Sequence, residues 1–341
     1  ANIVRWELRP RVFLRTTEFL WQEGHTAHET EKEAIAEARM ILHDVYLDTV
    51  QNVLAMPVHL GRKSPTERFA GAVETLTLEG LMRDRKALQA GTSHYLGQNF
   101  AKAYEVQFQN RAGELEHPYA TSWGSTTRLV GGVIMTHGDD KGLRLPPALA
   151  PTQVVIVPIY KSDEERTRVL EAATKIAGGL AAHRVRVDDR EDLRPGFKFN
   201  EWELRGVPVR IELGPRDLDA DQVTLAPRLT GEKEQTPLSN ASSRVAELLT
   251  ESQTGLLEQA RAFRDEHTFR PQDMGEMAKL LDDPGGFMLA GWCGSGDCEA
   301  KVKAETKATI RFLPLDPKPV DGACIVCGQP ATEEAAWALA Y

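Results

Sequence analysis

Four places in the chain hold residues suited to chemistry. Near one end, Cys293-Gly294-Ser295-Gly296-Asp297-Cys298 and Cys324-Ile325-Val326-Cys327 contain all four cysteines. C-x4-C with C-x2-C is the spacing of a tetrahedral four-thiolate metal site, with each pair expected on a tight hairpin. Such a site has no open coordination position, so its zinc would be structural; free reduced thiols are the alternative. Near the other end, Arg5, Arg9, Arg11 and Arg15 surround Glu7 and Pro10 in an expected hairpin. An arginine fork binds phosphate oxygens in pairs, and Glu7, two residues from Arg5 on one strand face, can accept a hydrogen bond from an amine such as adenine's. A solvated charged hairpin would carry the same residues. A lone histidine, His94, follows Gln89-Ala90-Gly91-Thr92-Ser93; it reads either as a structural histidine or as a site residue. Finally, Ser122-Trp123-Gly124-Ser125-Thr126-Thr127-Arg128 leads into apolar Leu129–Met135, read as strand, glycine turn and helix. A cation in the first turn opposes the helix dipole, and a bound polyphosphate would account for it.

These residues need elements to hold them. With 341 residues, 41% of them hydrophobic, the chain is long enough for two or three domains with real cores. No apolar run approaches the roughly 18 residues of a membrane span, so no membrane is expected. The net charge of −9 leaves any nucleic-acid contact to local basic patches. Cysteines clustered in this way do not make a distributed disulfide framework, and they suggest a reducing, cytoplasmic setting. Thr30 and Glu33 form a capping box before Ala34, Ala38, Ile41, Leu42 and Val45 at helical spacing, with Pro57 as the stop. The proline-dense stretch from Leu145 to Pro151 reads as a linker. Beyond it, Val154–Val157, a helix capped by Ser162 with Glu165, Val185–Val187 and Val209–Leu213 alternate as in an α/β domain. Val245, Leu248, Leu249, Leu256, Ala260 and Phe263 then share one helix face. The expected division is residues 1–150, 151–237 and 238–341.

Arg5-x-Glu7, a loop, then Arg15-x-x-x-Phe19 resembles motif 2 of class II aminoacyl-tRNA synthetases. The run from Phe13 to His28, Phe-Leu-Arg-Thr-Thr-Glu-Phe-Leu-Trp-Gln-Glu-Gly-His-Thr-Ala-His, resembles the prolyl-tRNA synthetase family. The resemblance implies that Arg5 holds the α-phosphate of ATP, Glu7 reads the adenine, Phe19 stacks on the purine, and Arg15 and Thr16 lie along the nucleotide. Gly91-Thr92-Ser93-His94-Tyr95-Leu96-Gly97 resembles the family's proline-pocket strand. It implies His94 against the pyrrolidine ring, Gln89 and Thr92 near the adenylate, and Trp21, Glu23 and Phe69 as further walls. A small ring bearing a secondary amine asks for aromatic walls and one carboxylate, although Phe69 and Trp21 would also serve as ordinary core. Arg128 corresponds to the motif 3 arginine on the γ-phosphate, with Ser125 and Thr126 in its loop departing from the usual glycine spacing. Asp139 and Asp140 read as structural or capping residues.

Residues 152–237 resemble the anticodon-binding domain of class IIa synthetases, through Pro195–Glu203 and Glu212–Asp217. Unstacked bases require donors and acceptors for their edges; Glu203, Arg210, Arg216 and Asp217 are the candidates, and as isolated charges they would equally be a solvated face. The cysteine tail resembles the extra C-terminal domain of archaeal/eukaryal-type members, which end in tyrosine, here Tyr341, whose carboxylate can reach back toward the active site. The implied architecture is an α+β catalytic domain on an incomplete antiparallel sheet, an α/β anticodon-binding domain and a small α+β zinc-binding domain. The implied partners are L-proline, ATP with Mg2+, tRNA(Pro) and, in the full-length protein, a second copy in a homodimer. The opening Ala1-Asn2-Ile3-Val4 lacks an initiator methionine. Motif 1 and the family's Thr-x-Glu element belong upstream, so the expectation is a truncated chain defective in adenylate formation by itself. A non-catalytic tRNA-binding paralogue and a threonyl or glycyl enzyme are the competing readings.

Overall fold

The capping box at Thr30 forms as its sequence requires. The Thr30 hydroxyl accepts from the Glu33 N–H, and the Glu33 carboxylate accepts from the Thr30 N–H. The computed structural model describes residues 1–316, 320 and 322–341. In chain order it begins with β1 (Asn2–Val4), β2 (Glu18–His28), α1 (Glu31–Met40), β3 (Val58–Arg62), β4 (Glu74–Leu81) and β5 (Ala87–Gly97). There follow α2 (Asn99–Ala103), the short pair β6 (Phe108–Gln109) and β7 (Leu115–Glu116), β8 (Tyr119–Thr126) and α3 (Arg128–His137). Past α1 the chain widens into π winding over Ile41–Leu47 and Thr49–Val53. The wider turn rotates the apolar face, so Tyr46 and Val50 are buried while Val45, expected in the core, is 42% exposed.

Six strands form one antiparallel sheet in the order β1-β2-β8-β5-β4-β3. Alternation decides its two faces. On β5, Ser93 donates to the Ala38 carbonyl at 2.8 Å and Tyr95 to Glu31 at 2.8 Å, which commits the odd-numbered residues to α1. Thr92 and His94 therefore face the other way.

Three local expectations are corrected. The arginine segment is not a pair of extended strands: Asn2–Val4 pairs with Glu18–Leu20, and within the loop a single antiparallel bridge joins Arg11 to Arg15. Residues 5–17 are the connecting loop, closed by the Arg5 N–H on the Thr17 carbonyl at 2.8 Å. Pro10 lacks a ladder donor and Phe13 takes a left-handed backbone, φ 59°, so Arg5 and Glu7 share no strand face. The second correction concerns Gly124, which lies within β8 and not in a turn. A Cβ there would sit 2.4 Å from Trp21 Nε1, and one on Gly24 would sit 2.4 Å from the Trp123 ring; each glycine admits a neighbouring tryptophan. The third is that Cys293 and Cys298 flank a strand-to-helix corner instead of a hairpin.

The middle of the chain supplies β9 (Val154–Pro158), α4 (Asp163–Gly179), β10 (Val185–Val187), α5 (Pro195–Leu204), β11 (Val209–Leu213) and α6 (Pro215–Asp219). It continues through β12 (Gln222–Pro227) and β13 (Glu234–Pro237) to α7 (Ala241–Glu266). The sheet order is β10-β9-β11-β12-β13, parallel across its first three strands as crossover helices require. Ser162 caps α4 by accepting from the Glu165 N–H. Val245, Leu248 and Leu249 of α7 join Val154, Ile156, Val209 and Ile211 in one core. Arg184 pins the proline-dense stretch by donating to the carbonyls of Pro147, Ala148 and Ala150.

The last elements are β14 (Thr268–Phe269), α8 (Met274–Asp282), β15 (Phe287–Trp292), α9 (Gly296–Thr306), β16 (Thr309–Phe312) and β17 (Glu333–Ala338). They form a sheet ordered β14-β15-β17-β16 around fully buried Trp292, Trp337 and Phe287. The chain divides into two compact units: Ala1–Asn52, Met56–Thr136 and Arg261–Tyr341 form one, and Val53–Ala55 with His137–Ala260 form the other. In the first unit, single bridges join Arg62 to Leu313 and Ala87 to Ala340. A buried ionic group also joins its segments: Glu79, with no exposed side-chain surface, accepts from Lys63 at 2.6 Å and from Arg311 at 3.0 Å. Burial alone would push the Glu79 carboxyl up, but the Arg311 guanidinium and the Lys63 ammonium outweigh it and hold the carboxyl below the usual range.

Candidate active site

The open face of the antiparallel sheet carries a cleft of about 360 Å³. Strand register builds its floor in rows. His25, Ser122, His94 and Thr75 pair in turn across β2, β8, β5 and β4, and Glu23, Gly124 and Thr92 form the next row. Two of the positions in these rows, His25 and Thr75, were not singled out from the sequence. His25 could have been found, since Trp21, Glu23 and His25 share the period of one strand face. Thr75, like Lys63 and Glu67, enters the cleft from a distant segment and leaves no local signal.

Of the residues expected around nucleotide and amino acid, Arg5, Thr16, Phe19, Gln89, Thr92, Thr126 and Arg128 line the cleft, as do Trp21, Glu23, Phe69 and His94. Glu7 and Arg15 belong to the loop beside it. The Glu7 carboxylate lies 3.9 Å from Arg5 and 3.7 Å from Arg15. The Arg5 guanidinium sits 5.1 Å from the Phe19 ring centre, and Phe19 stacks near Trp21 at 6.0 Å. Trp21 Nε1 is buried with no hydrogen-bond partner among the described residues.

Arg128 opens α3 where β8 ends. Its backbone N–H bonds the Thr126 hydroxyl at 3.1 Å and its Nε donates to the Leu14 carbonyl at 3.1 Å. Burial, and next the positive charge of Arg5, push its pKa below the ordinary arginine value. Among the described residues no carboxylate forms an ion pair with it, and together with Arg5, whose nearest carboxylate is Glu7 at 3.9 Å, it brings two guanidiniums to the cleft.

At the other end, His94 Nδ1 lies 2.9 Å from the Thr75 hydroxyl, which also accepts from the Phe69 N–H at 3.1 Å. The Phe69 ring packs on the imidazole at 4.9 Å. Burial, with His25 adding a smaller push, lowers the His94 pKa to about 4. The imidazole is therefore neutral at physiological pH, a wall and a hydrogen-bonding group instead of a charge. Glu23 is the floor's carboxylate, with His25 Nε2 at 3.6 Å.

In the second unit, Glu203 and Arg210 border a small cavity beside Trp202, Arg228 and Lys233. Arg210 stacks on Phe199 at 4.6 Å and pairs with Glu212 at 2.9 Å; Glu203 is 3.6 Å from Lys141. Asp217 caps α6, accepting from the Gly214 N–H at 2.8 Å and the Thr224 hydroxyl at 3.3 Å, while Arg216 beside it is exposed. Asp139 ties to Arg228 and Arg144, and hydrogen bonding to Arg228 draws its carboxyl down to about 2. That agrees with its reading as structural.

The four cysteine sulfurs lie within 4.8 Å of one another, with Cys293 3.6 Å from Cys298 and 3.7 Å from Cys327. Sulfurs on a tetrahedral zinc stand about 3.8 Å apart, so the donor set fits the metal. Burial pushes the Cys298 thiol up to about 12. At Cys324 burial acts the same way, but backbone N–H groups of Cys327 and Val326 outweigh it and bring the thiol down to about 7. Beyond the opposite end of β17, the Tyr341 ring lies 5.5 Å from the Arg11 guanidinium, and its hydroxyl donates to Asp84.

Residues 153–248 match the family model described as an anticodon binding domain. With the arginine-rimmed cleft on its antiparallel sheet, this defines an aminoacyl-tRNA synthetase. Residues 274–341 match the model described as the C-terminal domain of prolyl-tRNA synthetase. The whole chain is 50% identical to the proline–tRNA ligase of Cytophaga hutchinsonii, 50% to that of Flavobacterium psychrophilum and 49% to that of Alkaliphilus oremlandii, covering 70% of each relative. The chain belongs to the proline–tRNA ligase family.

Proposed function

We propose that the cleft activates L-proline with ATP and that the protein transfers the prolyl group to tRNA(Pro). The observation that carries the reading is the polarity of the cleft: Arg5 and Arg128 converge at one end, and neutral His94, Phe69 and Glu23 stand at the other. ATP would enter as its magnesium complex, in which the cation would offset charge on the phosphates. Phe19 and Glu7 take the adenine, Arg5 the α-phosphate and Arg128 the γ-phosphate, with Arg15, Thr16, Gln89, Thr92 and Thr126 along the nucleotide. Glu23 accepts from the proline ammonium while Phe69, His94 and Trp21 enclose the ring.

A carboxylate oxygen of proline then attacks the α-phosphorus in line. The new P–O bond forms as the α–β bridge breaks and pyrophosphate leaves. No proton need be removed, so positioning and charge stabilisation supply the acceleration. In the second step a hydroxyl at the tRNA 3′ end attacks the prolyl carbonyl, and AMP leaves as the acyl bond to it breaks. Glu203, Arg210, Arg216 and Asp217 are the proposed anticodon-side residues; with Asp217 tied up as a cap, Glu203 and Arg210 are the better placed for bases. Cys293, Cys298, Cys324 and Cys327 would hold a zinc ion that supplies rigidity and no open coordination site.

Charging of tRNA(Pro) transcripts with labelled proline tests the proposal, using the protein as its gene encodes it. Acid-resistant, base-labile prolyl-tRNA is the expected product. Transcript binding without any charging would instead indicate a tRNA-binding paralogue.

A further inference from the structure

We propose that Glu299 is a positioning residue for the amino-acid side of the cleft, holding its Phe69-bearing wall from the cysteine corner. The inference rests on reading that side as the proline pocket. Glu299 directly follows Cys298 in the first turn of α9 and is 4% exposed. One carboxylate oxygen accepts from the Ser64 hydroxyl at 2.9 Å and the other from the Thr66 hydroxyl. Both hydroxyls belong to the loop between β3 and β4, more than 230 residues earlier in the chain.

That loop is the wall. The Ser64 carbonyl accepts from the N–H groups of Glu67 and Arg68 at 3.1 and 2.9 Å, which folds the turn presenting Glu67 and Phe69 to the cleft. Phe69 then packs on His94 and bonds Thr75 through its N–H. The ends of the loop are held elsewhere, by Lys63 donating to Glu79 at 2.6 Å and Asn99 donating to the Gly71 carbonyl at 2.9 Å, but between them the other ties are exposed. Phe69 is 48% exposed, and Lys303 reaches Glu67 only at 3.4 Å with its own side chain 60% exposed, a pair worth little in water. A buried carboxylate bridging two hydroxyls is the stronger anchor, since charge-assisted hydrogen bonds exceed neutral ones. Its own position is set by the helix start that carries Cys298, capped by the Ser295 hydroxyl on the Asp297 N–H at 3.2 Å. Neither Glu299 nor its two partners contacts the arginine end, so its loss should be felt by the amino acid and not by the nucleotide.

Calorimetric dissociation constants for L-proline and for ATP, measured separately with the metal content per chain, test this. Proline binding to the unaltered protein comes first; its absence overturns the pocket reading itself. Given binding, Glu299→Ala is expected to weaken proline by about tenfold, leave ATP within about twofold and keep the metal, and Glu299→Gln, which retains an acceptor, to recover most of the loss. Thr66→Val, which removes one donor and leaves Glu299 in place, is expected to shift proline in the same direction by less, and it decides the matter if Glu299→Ala does not fold. Parallel weakening of proline and ATP, loss of the metal in Glu299→Ala, or unchanged proline affinity in the variants overturns the proposal.

Discussion

A guanidinium in the first turn of an apolar helix is an uncomfortable charge, and Arg128 keeps that position with a backbone carbonyl and a hydroxyl as neighbours. On the proposed reading, a bound polyphosphate offsets this cost. Arg128→Ala is therefore expected to fold and to lower the rate of adenylate formation on the order of 100-fold, read as kcat for amino-acid-dependent pyrophosphate exchange with the folded fraction checked by circular dichroism. Arg128 and the cysteines stood out in the sequence because each is odd where it stands, a cation at a helix start and thiols at ligand spacing; His94 was singled out through the family resemblance of its strand. Thr75 and Lys63 were not. Each is an ordinary residue locally and becomes part of the cleft only once β3 and β4 are laid beside β5. Asp217, expected from the sequence as a base reader, also has a local role that its sequence context did not announce, its oxygens accepting from the Gly214 N–H and the Thr224 hydroxyl.

Elements carry constraints that single residues do not. His59 on β3 is clamped between Phe312 at 5.0 Å and Phe287 at 5.3 Å, and its Nε2 is buried without a partner among the described residues. Burial, then the Arg264 charge, lowers its pKa from 6.5 to about 4. The unfolded chain protonates this ring near 6.5 and the folded one resists until about 4. Between those values the unfolded state binds more protons, so the contribution is complete above pH 6.5 and is lost as pH falls toward 4. The thermal midpoint should drop over that window, with His94 contributing in the same sense, and His59→Phe should lessen the drop; an equal slope in the variant would exclude His59 as a source. The cysteine corner makes a second prediction at this scale. One zinc per chain is expected by elemental analysis, and Cys324→Ser should lose it with a fall of roughly 5–10 °C in midpoint. The helix and strand periods were readable beforehand, but the π winding after Met40 was not, because nothing in Ile41–Val53 distinguishes a wider turn from an ordinary one. The arginine segment was expected as a hairpin between two strands around Pro10, and within residues 5–17 the structure forms a single Arg11–Arg15 bridge.

At the scale of the whole molecule, a chain of net charge −9 concentrates its useful positive charge at one end of one cleft. The last 81 residues, Arg261–Tyr341, belong to the same compact unit as the sheet that bears this cleft. Glu79 with Lys63 and Arg311, and Glu299 with Ser64 and Thr66, are buried polar ties between distant segments of that unit. No sequence pattern announces such ties, because partners more than 200 residues apart have no local period. Function was more legible than this packing, since motif wording survives in the sequence while long-range pairing must be built. The account stands on the claim that the cleft joins proline to ATP, and the most direct measurement of it is ATP–pyrophosphate exchange with the protein as its gene encodes it, driven in turn by proline, threonine and glycine. Exchange stimulated by proline and not by the other two is the predicted result. Exchange with none of the three, from folded protein that still binds tRNA, would contradict it.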